Sequence, residues 1–231
     1  MKKIKYSFLV SLTLIGLSFV LFSIHFAVFG QLQNTLYYSL MSLCFIPINV
    51  LAVTMVFEKI LAYQVMQEKL SKMNMLIGVY FSELGFTLLD LIVSGDVGAK
   101  ELMIDFSDLK AVKTQLKNHP HKLSLSQVDY AALSKLLIDR VSIVTTLITT
   151  ETILEHEAFS DLLMATIHLR DEILFRQDKP YTEDDYLHIT GDITRVYKAL
   201  SLEWIDYLIH INANYPYLYK SAIDVSPFHK K

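Results

Sequence analysis

His168 and Glu172 stand four residues apart in "ATIHLRDEILFR", and His188 and Asp192 stand four apart in "HITGDITRV". On a helix that spacing sets both groups of each pair on one face. Imidazoles and carboxylates converging in a helical bundle are what a di-iron or hemerythrin-like centre requires. His156, followed by Glu157, adds another imidazole, so His156, His168, Glu172, His188 and Asp192 are the candidate ligands for iron or another divalent metal, with His210 as a further histidine. The same residues fit a plainer arrangement of surface hydrogen bonds and salt links, such as His168 with Glu172 and Asp192 with Arg195. The Glu-x-x-His pair of the carboxylate bundles does not occur. The plainer arrangement is the working expectation, with no cofactor.

Other chemistry has less to stand on. The one cysteine, Cys44, lies in an apolar run, so neither a disulfide framework nor a cysteine-based metal site is expected. There is no glycine-rich phosphate loop and no G-x-S-x-G elbow. The chain is therefore expected not to be an enzyme. Residues 1–57 contain Lys2, Lys3 and Lys5 and no acid, which leaves 18 of the 21 basic residues and all 24 acids to residues 58–231. That mildly acidic remainder has no basic stripe for a phosphate backbone, so nucleic acid is not an expected partner. Trp204 with Tyr215, Tyr217 and Tyr219 could make a docking surface or close a core.

The elements that must position these groups begin with a membrane anchor. Residues 7–29 and 35–57 are uncharged apolar runs of 23 residues each, longer than the roughly 20 a helix needs to cross the hydrocarbon layer. A signal peptide is the alternative for the first, but its apolar run is too long and "AVFG" is a poor cleavage site. Pro47 is tolerable in the second, where a neighbouring helix can satisfy the carbonyl it frees. His25 near the outer end reads as an interfacial residue. The five-residue connection "GQLQN" carries no charge, whereas lysines precede the first run and Lys59, Lys69 and Lys72 come after the second. By the positive-inside rule both termini are cytoplasmic, in the cell's inner membrane. Residues 58–73 predict a helical stalk, whose stretch "EKILAYQVMQEKLSK", residues 58–72, contains strong helix formers and spans about 22 Å at 1.5 Å per residue.

Residues 74–93 open with "NMLIGVYFSELG", and here Tyr80, Glu83, Thr87, Asp90 and, one position beyond, Ser94 fall on one polar line at helical period. Gly78, Ser82 and Gly85, beside Glu83, form a small-residue face suited to close helix packing or interaction. A third span would carry two carboxylates into the bilayer, at about 2.5 to 3.5 kcal/mol each near its centre. A buried or interfacial helix with its acids facing water is the expectation. Beyond the break "SGDVG", Leu102, Phe106, Leu109, Val112 and Leu116 predict an amphipathic helix. "SQVD", residues 126–129, predicts the start of another reaching about Ile148. Two more helices are predicted over residues 157–176 and 183–211, separated by "QDKPYT", and the tail with its prolines and tyrosines is either an ordered wrap or loose.

The segments "LEHEAFSDLLMATIHLRDEILFR", "HITGDITRVYKAL" and "EWIDYLIHINANYPYLY", together with residues 74–85, resemble a family of small, functionally uncharacterised bacterial and archaeal membrane proteins. Its members have two N-terminal spans, an "NMxIGxFFSExG" segment and a C-terminal "YPYLFSLAxRxNPF". This chain departs from that ending at Asp224 and Ser226. The resemblance implies a fold plan and a membrane location, and no activity.

The reading is an all-α protein: a transmembrane helical hairpin (1–57), a helical stalk (58–73) and a cytoplasmic helical bundle (74–231). Its expected role is that of a membrane-anchored, non-catalytic interaction, scaffold or sensory module, with the lipid bilayer and a protein partner or a second copy as partners. Two alternatives stay open, a metal-dependent helical enzyme or sensor and an accessory subunit of a transporter or channel.

Overall fold

The computed structural model describes residues 2–99, 102, 104–176 and 182–228, with side chains from residue 12 onward. Every element of regular structure among them is helical, apart from one isolated bridge between Asp96 and Leu123. The chain divides into two compact units, Met1–Val65 and Met66–Lys231.

In the first unit, α1 (Lys2–Phe29) stops at Gly30, whose φ of 60° is left-handed and whose N–H bonds the Phe26 carbonyl at 2.9 Å. A residue without Cβ closes a helix there at little cost. The next helix, α2 (Leu32–Tyr80), starts after Gln31, so Leu32, Gln33 and Asn34 of the expected connection are helical. Pro47 lies within α2. From residue 12 to residue 65 every side chain is exposed except Thr35, which is buried, and Ser39, which is partly so. The hydroxyls of these two bond the Gln31 and Thr35 carbonyls at 2.9 and 2.8 Å. Both helices are long and apolar enough to cross a membrane, and neither covers the other's apolar surface.

The second unit has its own core. Residues 66–80 of α2 lead into a π turn, Phe81–Gly85, and then α3 (Phe86–Val93). Tyr80, Phe81, Leu84, Leu88, Leu89 and Ile92 are at most 1% exposed. Phe81 stacks on Tyr207 with ring centroids 5.1 Å apart, and Phe86 meets Trp204 edge-on at 4.3 Å. Of the expected polar line, Glu83, Thr87, Asp90 and Ser94 are exposed, but Tyr80 is fully buried. The wide π turn advances each residue by a smaller angle, which moves Tyr80 off the line. There its ring packs against Phe159 at 5.2 Å. The small-residue face is split as well. A Cβ on Gly78 would meet Tyr207 at 3.5 Å, one on Gly85 would meet the rings of Phe81 and Tyr80, and Ser82 is exposed with its hydroxyl on the Val79 carbonyl.

After an irregular stretch comes α4 (Leu109–Asn118), which begins later than the apolar spacing predicts. Asp108 caps it by accepting from the Lys110 and Ala111 N–H groups at 3.2 and 3.0 Å. Leu102 is buried from irregular chain instead. The single helix expected up to Ile148 is two, α5 (Tyr130–Asp139) and α6 (Val141–Ile148), broken at Arg140. Asp129, not Ser126, supplies the cap, accepting from the Ala132 N–H at 3.0 Å. A short α7 (Glu151–Leu154) precedes α8 (Glu157–Arg176) and α9 (Glu183–Asn214). Residues 177–181, most of the expected separator, lie outside the described residues. The capping box of Thr182 and Asp185 opens α9, and the tail is an ordered helix, α10 (Pro216–Asp224). The centre of the unit is α9: α8, α4, α3 and α10 pack on it, while α5, α6 and α7 cover α8.

Candidate functional site

Because α9 returns along α8, the two histidine and carboxylate pairs face each other. A ladder of contacts marks the return: Arg176 with Asp185, His188 with Glu172, and His168 with Asp192. His168 Nε2 is 3.6 Å from Asp192 Oδ2, His188 Nε2 is 3.4 Å from the same oxygen, and His188 Nε2 is 3.9 Å from Glu172 Oε2. The donor atoms of His168, Glu172 and His188 all lie within 4.8 Å of one another. All these separations exceed the 2.7 to 3.2 Å of a good N–H···O bond. Asp192 is 3% exposed and its Oδ2 makes no hydrogen bond. Its Oδ1 is held by Arg195 at 3.2 Å, and Glu172 Oε2 accepts from Arg176 Nε at 3.1 Å. Arg195 thus holds the Asp192 oxygen that faces away from the histidines, Arg176 holds the Glu172 oxygen that faces His188, and the two histidines remain half exposed at the mouth.

The expected link of Asp192 with Arg195 is present. His168 turns across to Asp192 on the neighbouring helix, where a link to Glu172 on its own helix was expected. His156 does not join the cluster: its Nδ1 accepts from the Phe159 N–H at 3.0 Å and caps α8. Nor does His210, which lines a groove with Leu70, Met75, Gly78, Tyr207 and Leu218. Burial pulls the His210 imidazole below its usual range. Glu83 pairs with Arg140 at 2.6 Å on the surface. The aromatic set is divided between two roles, with Trp204 fully buried in the core and Tyr215 and Tyr217 exposed. The Tyr219 hydroxyl donates to the Phe106 carbonyl at 2.8 Å.

Two buried polar groups escaped the sequence reading. Asp96 accepts from the Gly98 N–H at 2.9 Å and from the Tyr197 hydroxyl at 2.9 Å, and its Oδ2 lies 2.6 Å from His119 Nε2. Beside it His121, at a φ of 48°, bonds the His119 carbonyl through Nδ1, and burial lowers its pKa. The histidines around Pro120 in "NHPHK" were a visible signal, but nothing in the spacing joins them to Asp96 or Tyr197. The second is Glu203, 3% exposed on α9, whose pKa is pushed up to about 7 by burial and by Asp206, against the pull of Lys113.

The chain matches two family models, the N-terminal helical domain of MJ1433 over residues 2–61 and the C-terminal helical domain of the uncharacterized protein MJ1433 over residues 69–224. It is 37% identical over 234 residues to the uncharacterized protein MJ1433 of Methanocaldococcus jannaschii, covering 98% of this chain and 95% of that protein. No solved structure matches it. Matched from end to end in both its helical domains, the chain belongs to the MJ1433 family.

Proposed function

We propose that the protein is a membrane-anchored helical module for protein contact or sensing, held in the inner membrane by two spans with both termini and the helical domain on the cytoplasmic side. The observation that carries this is the exposure of the first unit: apart from Thr35 and Ser39, the described side chains of two long apolar helices have no protein cover. Surface such as Phe19, Leu40 and Leu51, each more than 60% exposed, requires an apolar surrounding, and lipid supplies it. The lysine distribution sets the direction. Anchoring copies in one bilayer raises their local concentration, which favours contact between their helical domains.

Membrane fractionation with alkaline carbonate, then protease treatment of inverted vesicles, tests the reading. The full chain is expected to stay with the pellet, and its C-terminal domain to be digested from the cytoplasmic face. Release by carbonate would reject the anchor, and protection of the domain in inverted vesicles would reverse the orientation. Chemical crosslinking in intact membranes should yield dimers or larger species, and monomers alone would remove the association.

A further inference from the structure

We propose that His168, Glu172, His188 and Asp192 form a binding site for one divalent transition-metal ion that ties α8 to α9. This site is independent of the membrane anchor. Three observations carry it. The first is the donor set: two imidazole nitrogens and two carboxylate oxygens suit zinc, ferrous iron, cobalt or manganese, whereas calcium and magnesium favour all-oxygen surroundings.

The second is spacing. Ligand atoms about 2.1 Å from a common tetrahedral ion lie about 3.4 Å from one another. The separations of 3.4, 3.6 and 3.9 Å in this cluster are too long for hydrogen bonds and close to that edge length. Groups that merely salt-linked two helix surfaces would close to hydrogen-bond distance, as Arg176 of α8 does on Asp185 of α9.

The third is Asp192 Oδ2. It is a buried carboxylate oxygen without a hydrogen bond, aimed between two histidine Nε2 atoms. A native fold does not usually leave such an atom unsatisfied. A cation held between Asp192 Oδ2 and the two Nε2 atoms satisfies it, and the donor atoms of Glu172 and the two histidines lie within 4.8 Å of one another. Arg195 on Oδ1 then acts as a positioning residue that leaves Oδ2 of Asp192 facing inward, while Arg176 holds Glu172 Oε2 on the side of His188. Because both histidines are half exposed, any coordination position that the protein leaves open faces water.

The test uses the untagged full chain in mild detergent, stripped with chelator and titrated with cobalt(II) and, separately, with zinc. Cobalt is the optical probe, since a tetrahedral or five-coordinate nitrogen and oxygen site gives visible absorption. One ion per chain is expected, with a zinc-induced rise in Tm that a large excess of magnesium or calcium does not reproduce. The His168→Ala/His188→Ala variant changes half-exposed residues, so it should keep the wild-type circular dichroism while its zinc affinity falls at least 100-fold. Arg195→Ala should weaken zinc by a smaller factor, about 10-fold. Absence of cobalt absorption and of a Tm shift at millimolar metal overturns the site, as does binding that survives the double histidine variant unchanged.

Discussion

At the scale of the single residue, the i, i+4 pairs on α8 and α9 were legible because helical spacing alone puts their partners on one face. That the two faces meet was not, since it depends on how α9 returns along α8. His156 shows the limit from the other side, because a histidine just before a helix can as well cap it as bind a metal. Glu203 was invisible for a related reason: nothing in "SLEWIDYL" tells which of its acids turns inward. Its consequence is measurable. The pKa rises from 4.5 to about 7 on folding, so between those values the folded state holds a proton that the unfolded state has lost. Stability from this group is then full below 4.5 and declines as pH rises through 7, by up to about 3 kcal/mol. His121 works in the opposite direction below 6.5, because its buried imidazole resists the proton that the unfolded chain accepts. The difference between wild type and Glu203→Gln therefore carries the sign. Chemical denaturation should show the variant gaining on the wild type as pH is raised from 5 to 8. A difference that does not change with pH would mean that Glu203 is charged in the fold throughout.

At the scale of the element, apolar periodicity located α8 and α9 and failed where turn chemistry interrupts it. Leu102 and Phe106 kept the helical period without being helical, because Asp108 sets the start of α4. The break at Arg140 has no glycine or proline to announce it. The π turn is the largest such case, and the glycine that closes it is open to test. Gly85 is buried, and an added Cβ would lie 2.6 Å from Phe81 Cδ1 and 2.9 Å from Tyr80 Cε1. Both rings are wholly buried, so they cannot swing away. Gly85→Ala should lower stability by about 1–3 kcal/mol, the cost of overpacking, despite the better helix propensity of alanine. Gly78 makes the comparison, since its Cβ would sit at an ordinary 3.5 Å from Tyr207. Gly78→Ala should be neutral or stabilise by up to about 1 kcal/mol. Thermal melts of both variants in one detergent decide it, and equal loss at both positions would show that the π turn has no special need of glycine.

At the scale of the whole molecule, the composition of the chain was already uneven enough to separate an acid-free N-terminal part from a mixed remainder, and the division between Val65 and Met66 falls between the two family domains. What composition did not reveal is how self-sufficient the second unit is. Every residue of its hydrophobic core lies between Ile77 and Phe228, so among the described residues no buried apolar side chain comes from the first 65. Asp96 in its interior finds its partners, Gly98, His119 and Tyr197, within the same unit. A domain whose core is complete should fold without the first unit. The chain beginning at Met66 is therefore expected to be helical, monodisperse and cooperatively melting in buffer without detergent. Its Tm should lie within a few degrees of the full chain's, because its core residues all remain when 1–65 is removed. If the fragment aggregates or binds a dye for exposed apolar surface as strongly as an unfolded chain, then the second unit is not self-sufficient and its fold depends on residues 1–65.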